Sequence, residues 1–162
     1  MNKPTTLVLG IGNTLLTDEG IGVHVINRLM EAYPNFPEVE FLDGGTLSFS
    51  LAGELASHDW LIVVDAAHTG KSPGSVVCFE GSEMDRYLRG YRKSVHEVGL
   101  GDLLDIARLS ECYPQKTALV GIEPYNMEWG ESPSTIVEKT VPVAMAGVME
   151  LINRWKQEHD SA

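Results

Sequence analysis

Two hydrophobic patterns alternate along the chain, and each predicts a different element. Short continuous apolar runs are typical of strands buried on both faces of a sheet, and they predict strands at residues 6–10, 39–42, 60–64, 75–80 and 117–122. Apolar residues that recur every three or four positions predict amphipathic helices from residue 22 to 33 and at 49–57, 100–109 and 143–155. Asp18 is a candidate N-cap for the first of these helices.

The order of these elements indicates the fold class. Strand, helix, strand, helix, strand over the first 65 residues favours βαβ units and a parallel sheet. The run 75–80 follows a Pro-Gly turn that is too short for a crossover helix, so we expect this fourth strand to lie antiparallel at an edge. The sequence therefore predicts one three-layer α/β/α domain over residues 1–162, with a twisted, mostly parallel five-stranded sheet.

Composition and charge narrow the function class. The chain has 162 residues, of which 43% are hydrophobic and 22% charged, and its formal charge is −11. Nucleic-acid binding needs surplus cations, so we exclude that class, and no apolar run approaches the length of a membrane helix. We expect a cytoplasmic monomer without membrane contact. Cys78 and Cys112 are too few for a disulfide framework, and we expect both to be small buried hydrophobes.

Three residues that could do chemistry fall where connections leave the predicted sheet. Glu19 lies in the loop after strand 1, Asp65 ends strand 3, and His96 lies in a loop before the 100–109 helix. Two carboxylates and an imidazole suit a borderline divalent ion such as zinc or nickel. Each also has a structural interpretation: Glu19 as a helix-start carboxylate, Asp65 as a buried cap, and His96 as a capping or surface histidine. Spacing alone leaves both interpretations open.

Two other enzyme classes are disfavoured by the motifs. The glycines between residues 10 and 22 lack the third glycine of a dinucleotide fingerprint, and Asp18-Glu19 would repel a pyrophosphate. A Gly-x-Ser-x-Gly pattern occurs at residues 70–74 (GKSPG), but the next predicted element is the strand 75–80 and not the helix that a serine nucleophile elbow needs.

Residues 10–23 read GIGNTLLTDEGIGV, and further blocks follow in order at 42–46 (LDGGT), 64–66 (VDA), 94–100 (SVHEVGL) and 119–124 (LVGIEP). This series resembles the signature of the hydrogenase maturation endopeptidases, which remove a C-terminal peptide from the large subunit of nickel–iron hydrogenases. The resemblance implies the same mixed sheet with strand 4 antiparallel. It also implies that Glu19, Asp65 and His96 form a metal-binding trio.

The resemblance further implies a partner and a mechanism. The substrate would be a large-subunit precursor that already carries nickel, so the metal is supplied by the substrate, although other divalent ions could occupy the trio. Cleavage would use either a metal-activated water or Asp65 or Glu19 as general base, and the sequence does not choose between them. A non-hydrolytic nickel-binding chaperone and a generic zinc hydrolase of small peptides are the two rival hypotheses.

Overall fold

The computed structural model describes residues 2–46, 49–90 and 95–162, with the backbone alone described at 95–98. Its strands, in chain order, are β1 (Thr6–Ile11), β2 (Val39–Gly45), β3 (Trp60–Ala66), β4 (Val76–Glu80) and β5 (Lys116–Ile122). Its α-helices are α1 (Ile21–Ala32), α2 (Leu51–Ala56), α3 (Ser82–Leu88), α4 (Val95–Leu109), α5 (Thr135–Glu138) and α6 (Val141–Asp160). A 3₁₀ turn, Thr17–Gly20, precedes α1.

The five strands form one sheet in the order β2-β1-β3-β5-β4. The pairs β1–β2, β1–β3 and β3–β5 are parallel, whereas β4 pairs antiparallel with β5 at an edge. The predicted fold class is therefore confirmed, including the orientation of the fourth strand. Chain order reverses direction between β1 and β3, because β1 leads outward to β2 on one side while β3 leads to β4 and β5 on the other side.

Helices cover both faces of this sheet and bury two apolar clusters. Side chains of one face, such as Val8 and Ile62, pack with α1, α5 and α6. Side chains of the other face, such as Leu9 and Val63, pack with α2, α3 and α4. Because both faces of the three central strands are buried, those strands read as continuous apolar runs.

The helices depart from the prediction where the sequence carries little periodicity. The sequence pattern does not predict helix α3, because only Met84 and Leu88 are buried in its seven residues, which is too few to reveal a repeat. Helix α4 begins at Val95, so His96 lies in a helix and not in the expected loop. Helix α6 continues to Asp160 through an exposed polar segment that the apolar stripe cannot mark.

The expected burial of the cysteines is wrong, since Cys78 and Cys112 are both free and exposed. Cys78 lies on the edge strand β4, whose other residues are only partly buried, and Cys112 lies in the turn after α4. Within the described ranges, no helix combines the length and apolar character needed to cross a bilayer.

Candidate functional site

The turn that carries Glu19 folds tightly against the end of β1. A β-carbon at Gly12 would overlap the carbonyl oxygen of Glu19, and Gly12 has a φ of 144°, a backbone conformation that favours glycine. The backbone N–H of Glu19 donates to the carbonyl oxygen of Leu16 at 3.0 Å, which closes the turn. Glu19 itself is half-buried beside the strand end.

Asp65 occupies the same end of the sheet, on the neighbouring strand. It is the penultimate residue of β3, only 3% exposed, and pairs with Gly121 of β5. Its Oδ1 accepts a hydrogen bond from the backbone N–H of Ala66 at 2.8 Å, which orients the carboxylate. A buried carboxylate at a strand end is costly unless polar groups surround it, so this position is not one that packing alone would select.

The first turn of α1 joins these two strand ends. A β-carbon at Gly22 would overlap the carbonyl oxygens of both Ile11 and Val64, so the helix start lies directly on the ends of β1 and β3. This is the point where chain order reverses in the sheet, and it is where open α/β sheets place their ligands. We call it the carboxyl edge of the sheet.

The third residue of the predicted trio is described only in part. His96 lies in the first turn of α4, but its side chain is outside the described residues. Because α4 leads into the parallel strand β5, the helix starts at the carboxyl edge and runs back along the sheet. The grouping of Glu19, Asp65 and His96 around one ion therefore stays a prediction.

Asp18 has a role that the sequence did not reveal. It is fully buried, and its side chain makes no cap to α1, so the N-cap prediction is wrong. Its carboxylate instead accepts hydrogen bonds of 2.7–2.9 Å from the backbone N–H groups of Tyr125, Asn126 and Ser134, and from the Ser134 hydroxyl. Asp18 thus ties the loop of residues 124–134 to the Glu19 turn.

A third buried carboxylate, Glu123, follows β5 at the same edge. It is 9% exposed, and its Oε2 accepts hydrogen bonds from the N–H and hydroxyl of Thr69 at 2.7 and 2.8 Å. These bonds hold the loop after β3 against the end of β5. The sequence signal for this role was weak, because Glu123 simply follows an apolar run.

One group of metal-ligating side chains lies far from this edge. Among the described residues, Glu40, Glu54 and His58 place ligand atoms within 4.8 Å of one another. Both nitrogens of the His58 ring already have partners, the Glu54 carbonyl oxygen at 2.7 Å and the Glu40 carboxylate at 2.9 Å. These hydrogen bonds already use both ring nitrogens of His58, at the end of the sheet opposite the carboxyl edge.

The sequence profile of a family described as hydrogenase maturation protease matches residues 23–151. The hydrogenase expression/formation protein HupD of Rhizobium leguminosarum bv. viciae is 34% identical over 153 residues, which cover 94% of this chain and 76% of that protein. The hydrogenase 2 maturation protease of Escherichia coli K12 is 37% identical over 144 residues, which cover 88% and 87%. HoxM of Azotobacter vinelandii is 39% identical over 129 residues, but the chain spans only 62% of its length.

Solved structures give the same result for the fold. The hydrogenase maturating endopeptidase HybD from E. coli superposes with a TM-score of 0.87 at 34% identity, covering 93% of both chains. The [NiFe] hydrogenase maturation protease HybD from Thermococcus kodakarensis has a TM-score of 0.76 at 28% identity, covering 91% of this chain and 98% of its own.

Proposed function

Because this chain belongs to the hydrogenase maturation protease family, we propose that it is an endopeptidase that removes a C-terminal peptide from the nickel-loaded precursor of a nickel–iron hydrogenase large subunit. The observation that carries the proposal beyond the family is Asp65, an oriented and almost fully buried carboxylate beside the Glu19 turn. The two groups lie at the reversal point of the sheet, where a substrate would reach both.

Recognition of the precursor would rest on its nickel. The side chains that would contact this metal are Glu19, Asp65 and His96, and their oxygen and nitrogen donors fit a borderline divalent ion. Bound to the substrate, nickel would mark the precursor as loaded and polarise groups close to it. The donor set is open, in that three ligands from this chain leave positions for ligands from the substrate.

A carboxylate of this chain would also transfer the proton that hydrolysis of the peptide bond requires. A carboxylate, Asp65 or Glu19, accepts a proton from a water molecule whose oxygen attacks the scissile carbonyl carbon. The carbon–nitrogen bond then breaks, and the proton passes to the leaving amine. Burial helps Asp65 in this step, because a charge in a dry site interacts more strongly with the developing charges of the reaction.

The test is a pulse-chase of precursor processing with Glu19→Gln, Asp65→Asn and His96→Ala. Removal of a proton-transferring group costs about 10²–10⁴-fold in rate, so we expect processing by Asp65→Asn to fall by at least ~100-fold. Glu150→Gln, at an exposed position on α6, is the matched control and should process at the wild-type rate. Circular dichroism and the melting temperature confirm that each variant folds.

Two outcomes contradict the proposal. Processing at the wild-type rate by all three site variants removes Glu19, Asp65 and His96 from the mechanism. A nickel-loaded precursor that keeps its full mass after incubation with the wild-type chain would rule out endopeptidase activity. That result would favour a non-hydrolytic chaperone.

A further inference from the structure

Three large apolar side chains lie exposed in the loops around the Glu19 turn. The exposed fraction is 50% for Leu15, 64% for Tyr125 and 82% for Trp129. Leu15 lies in the loop that leads into the turn, and the other two lie in the 124–134 loop. A tryptophan this exposed packs little against the described residues, and exposed apolar groups that lie together mark interaction sites.

Backbone hydrogen bonds place Leu15 and Trp129 side by side. Gly130 donates its N–H to the carbonyl oxygen of Leu15 at 2.9 Å and accepts the N–H of Thr17 at 2.8 Å. These two bonds make a parallel bridge between Leu16 and Gly130. Leu15 and Trp129 each directly precede a bridged residue, so their backbones run side by side in this short pairing.

The 124–134 loop is held in place before any partner arrives. The buried Asp18 carboxylate binds its backbone at Tyr125, Asn126 and Ser134, and the Thr17 hydroxyl donates to the carbonyl oxygen of Glu128 at 2.6 Å. A surface that is already ordered loses less conformational entropy on binding than a floppy loop does. The exposed Trp129 is therefore presented on a fixed backbone next to Glu19.

Charge on this loop indicates the chemistry of the partner. Glu128 and Glu131 flank the Trp129-Gly130 pair and are both exposed, and the chain as a whole carries −11. An arginine or lysine side chain can lie on the tryptophan ring while it pairs with either carboxylate. An apolar anchor between two acids thus fits a segment that combines basic and apolar residues.

We propose that Leu15, Tyr125 and Trp129, with Glu128 and Glu131, form the docking surface for a basic segment of the precursor. This inference rests on the proposed function, since it takes the precursor as the occupant. The surface borders the turn that carries Glu19, so a precursor bound there has its scissile bond near the carboxyl edge. Docking at Trp129 adds affinity for the precursor and takes no part in the bond cleavage.

The experiment measures the dissociation constant of purified, uncleaved precursor for the Asp65→Asn chain by biolayer interferometry. Trp129→Ala in this background should raise the Kd at least tenfold, as expected for a tryptophan anchor. Glu128→Lys with Glu131→Lys should also raise it at least tenfold, and this effect should shrink at high salt. Leu109→Ala is the control, because Leu109 is 87% exposed at the far end of α4, and it should leave the Kd within twofold.

A Kd for Trp129→Ala within twofold of the parent would overturn the docking surface, and so would an absence of measurable binding by the parent. The docking surface could instead be covered by a second copy of this chain, and sedimentation of the free chain tests that alternative. A dimer that dissociates when Trp129→Ala is introduced would also overturn the proposal. Cleavage by the otherwise wild-type chain is scored separately by the mass of the precursor. If Trp129→Ala leaves the Kd unchanged but the precursor is still shortened, only the docking surface is wrong. If the precursor is not shortened at all, the proposed function is wrong.

Discussion

Among single residues, Asp18 shows how a buried charge organises the carboxyl edge. A carboxylate removed from water is destabilising unless donors replace its hydration. Asp18 has four such donors, three of them backbone N–H groups of the 124–134 loop. The Asp18 charge is therefore compensated by backbone N–H groups that would otherwise need other acceptors. The same hydrogen bonds fix the 124–134 loop beside the Glu19 turn.

Asp18→Ala should lower the free energy of unfolding by about 1–3 kcal/mol, because it leaves buried N–H groups without an acceptor. Asp18→Asn keeps one acceptor oxygen and should lose less. Urea unfolding followed by circular dichroism measures both, with Asp160→Ala at the exposed end of α6 as the control. Asp18→Ala as stable as the control would show that the loop does not depend on this carboxylate.

His24 makes the stability depend on pH. Its pKa is lowered, mainly by burial, while the charge of Glu138 raises it and that of Arg28 lowers it. Its Nε2 has no hydrogen-bond partner among the residues that the structure describes. The unfolded chain takes up a proton at this imidazole near pH 6.5, whereas the folded chain does so only at lower pH. The unfolded state therefore binds more protons in between, and stability falls as the pH drops through that range.

His24→Gln removes the titrating group and should flatten this dependence. We expect the free energy of unfolding of the wild type to fall more between pH 7.5 and pH 6.0 than that of the variant. His159→Gln, at an exposed position near the end of α6, should keep the wild-type slope. Equal slopes for His24→Gln and wild type would show that His24 does not contribute.

Among the helices and strands, the sequence predicts those features that depend on hydrophobic periodicity or on the length of a connection. The antiparallel edge strand β4 followed from a turn too short for a crossover, and the buried strands followed from their apolar runs. Helix α3 and the short α5 were beyond this reasoning, because too few of their residues are buried to show a repeat. The sequence favours Asp18 as a cap of its nearest helix, because its actual hydrogen-bond partners lie more than 100 residues away along the chain.

Gly22 sets how closely α1 approaches the strand ends. Gly22→Ala would drive a β-carbon into the carbonyl oxygens of Ile11 and Val64, and we expect it to lower the free energy of unfolding by about 2 kcal/mol or more. Gly147→Ala in α6 is the matched control. No described atom lies within 4 Å of its β-carbon position, so it should stabilise the helix by about 0.5–1 kcal/mol.

Thermal or urea unfolding of the two alanine variants gives the comparison directly. We expect the change in the free energy of unfolding to have opposite signs for the same substitution in the two helices. A Gly22→Ala chain as stable as wild type would mean that α1 does not have to lie on the ends of β1 and β3, and the position of the Glu19 turn would lose its explanation.

For the whole molecule, the candidate site depends on topology more than on local sequence. Glu19 and Asp65 are 46 positions apart in the chain, and they share an edge only because β1 and β3 are parallel neighbours. The sequence could predict that edge, since it follows from the alternation of strands and helices. The exposed surface around Trp129 could not be predicted, because its place beside Leu15 depends on backbone bonds across more than 100 residues.

Intact-mass spectrometry of the precursor shows whether this chain shortens it, as proposed for the nickel-loaded form. Purified precursor, with and without nickel, is incubated with the wild-type chain and weighed over time. We predict that the nickel-loaded form loses the mass of one C-terminal peptide while the nickel-free form keeps its full mass. A nickel-loaded precursor that keeps its full mass, with a folded enzyme present, would contradict the proposed function.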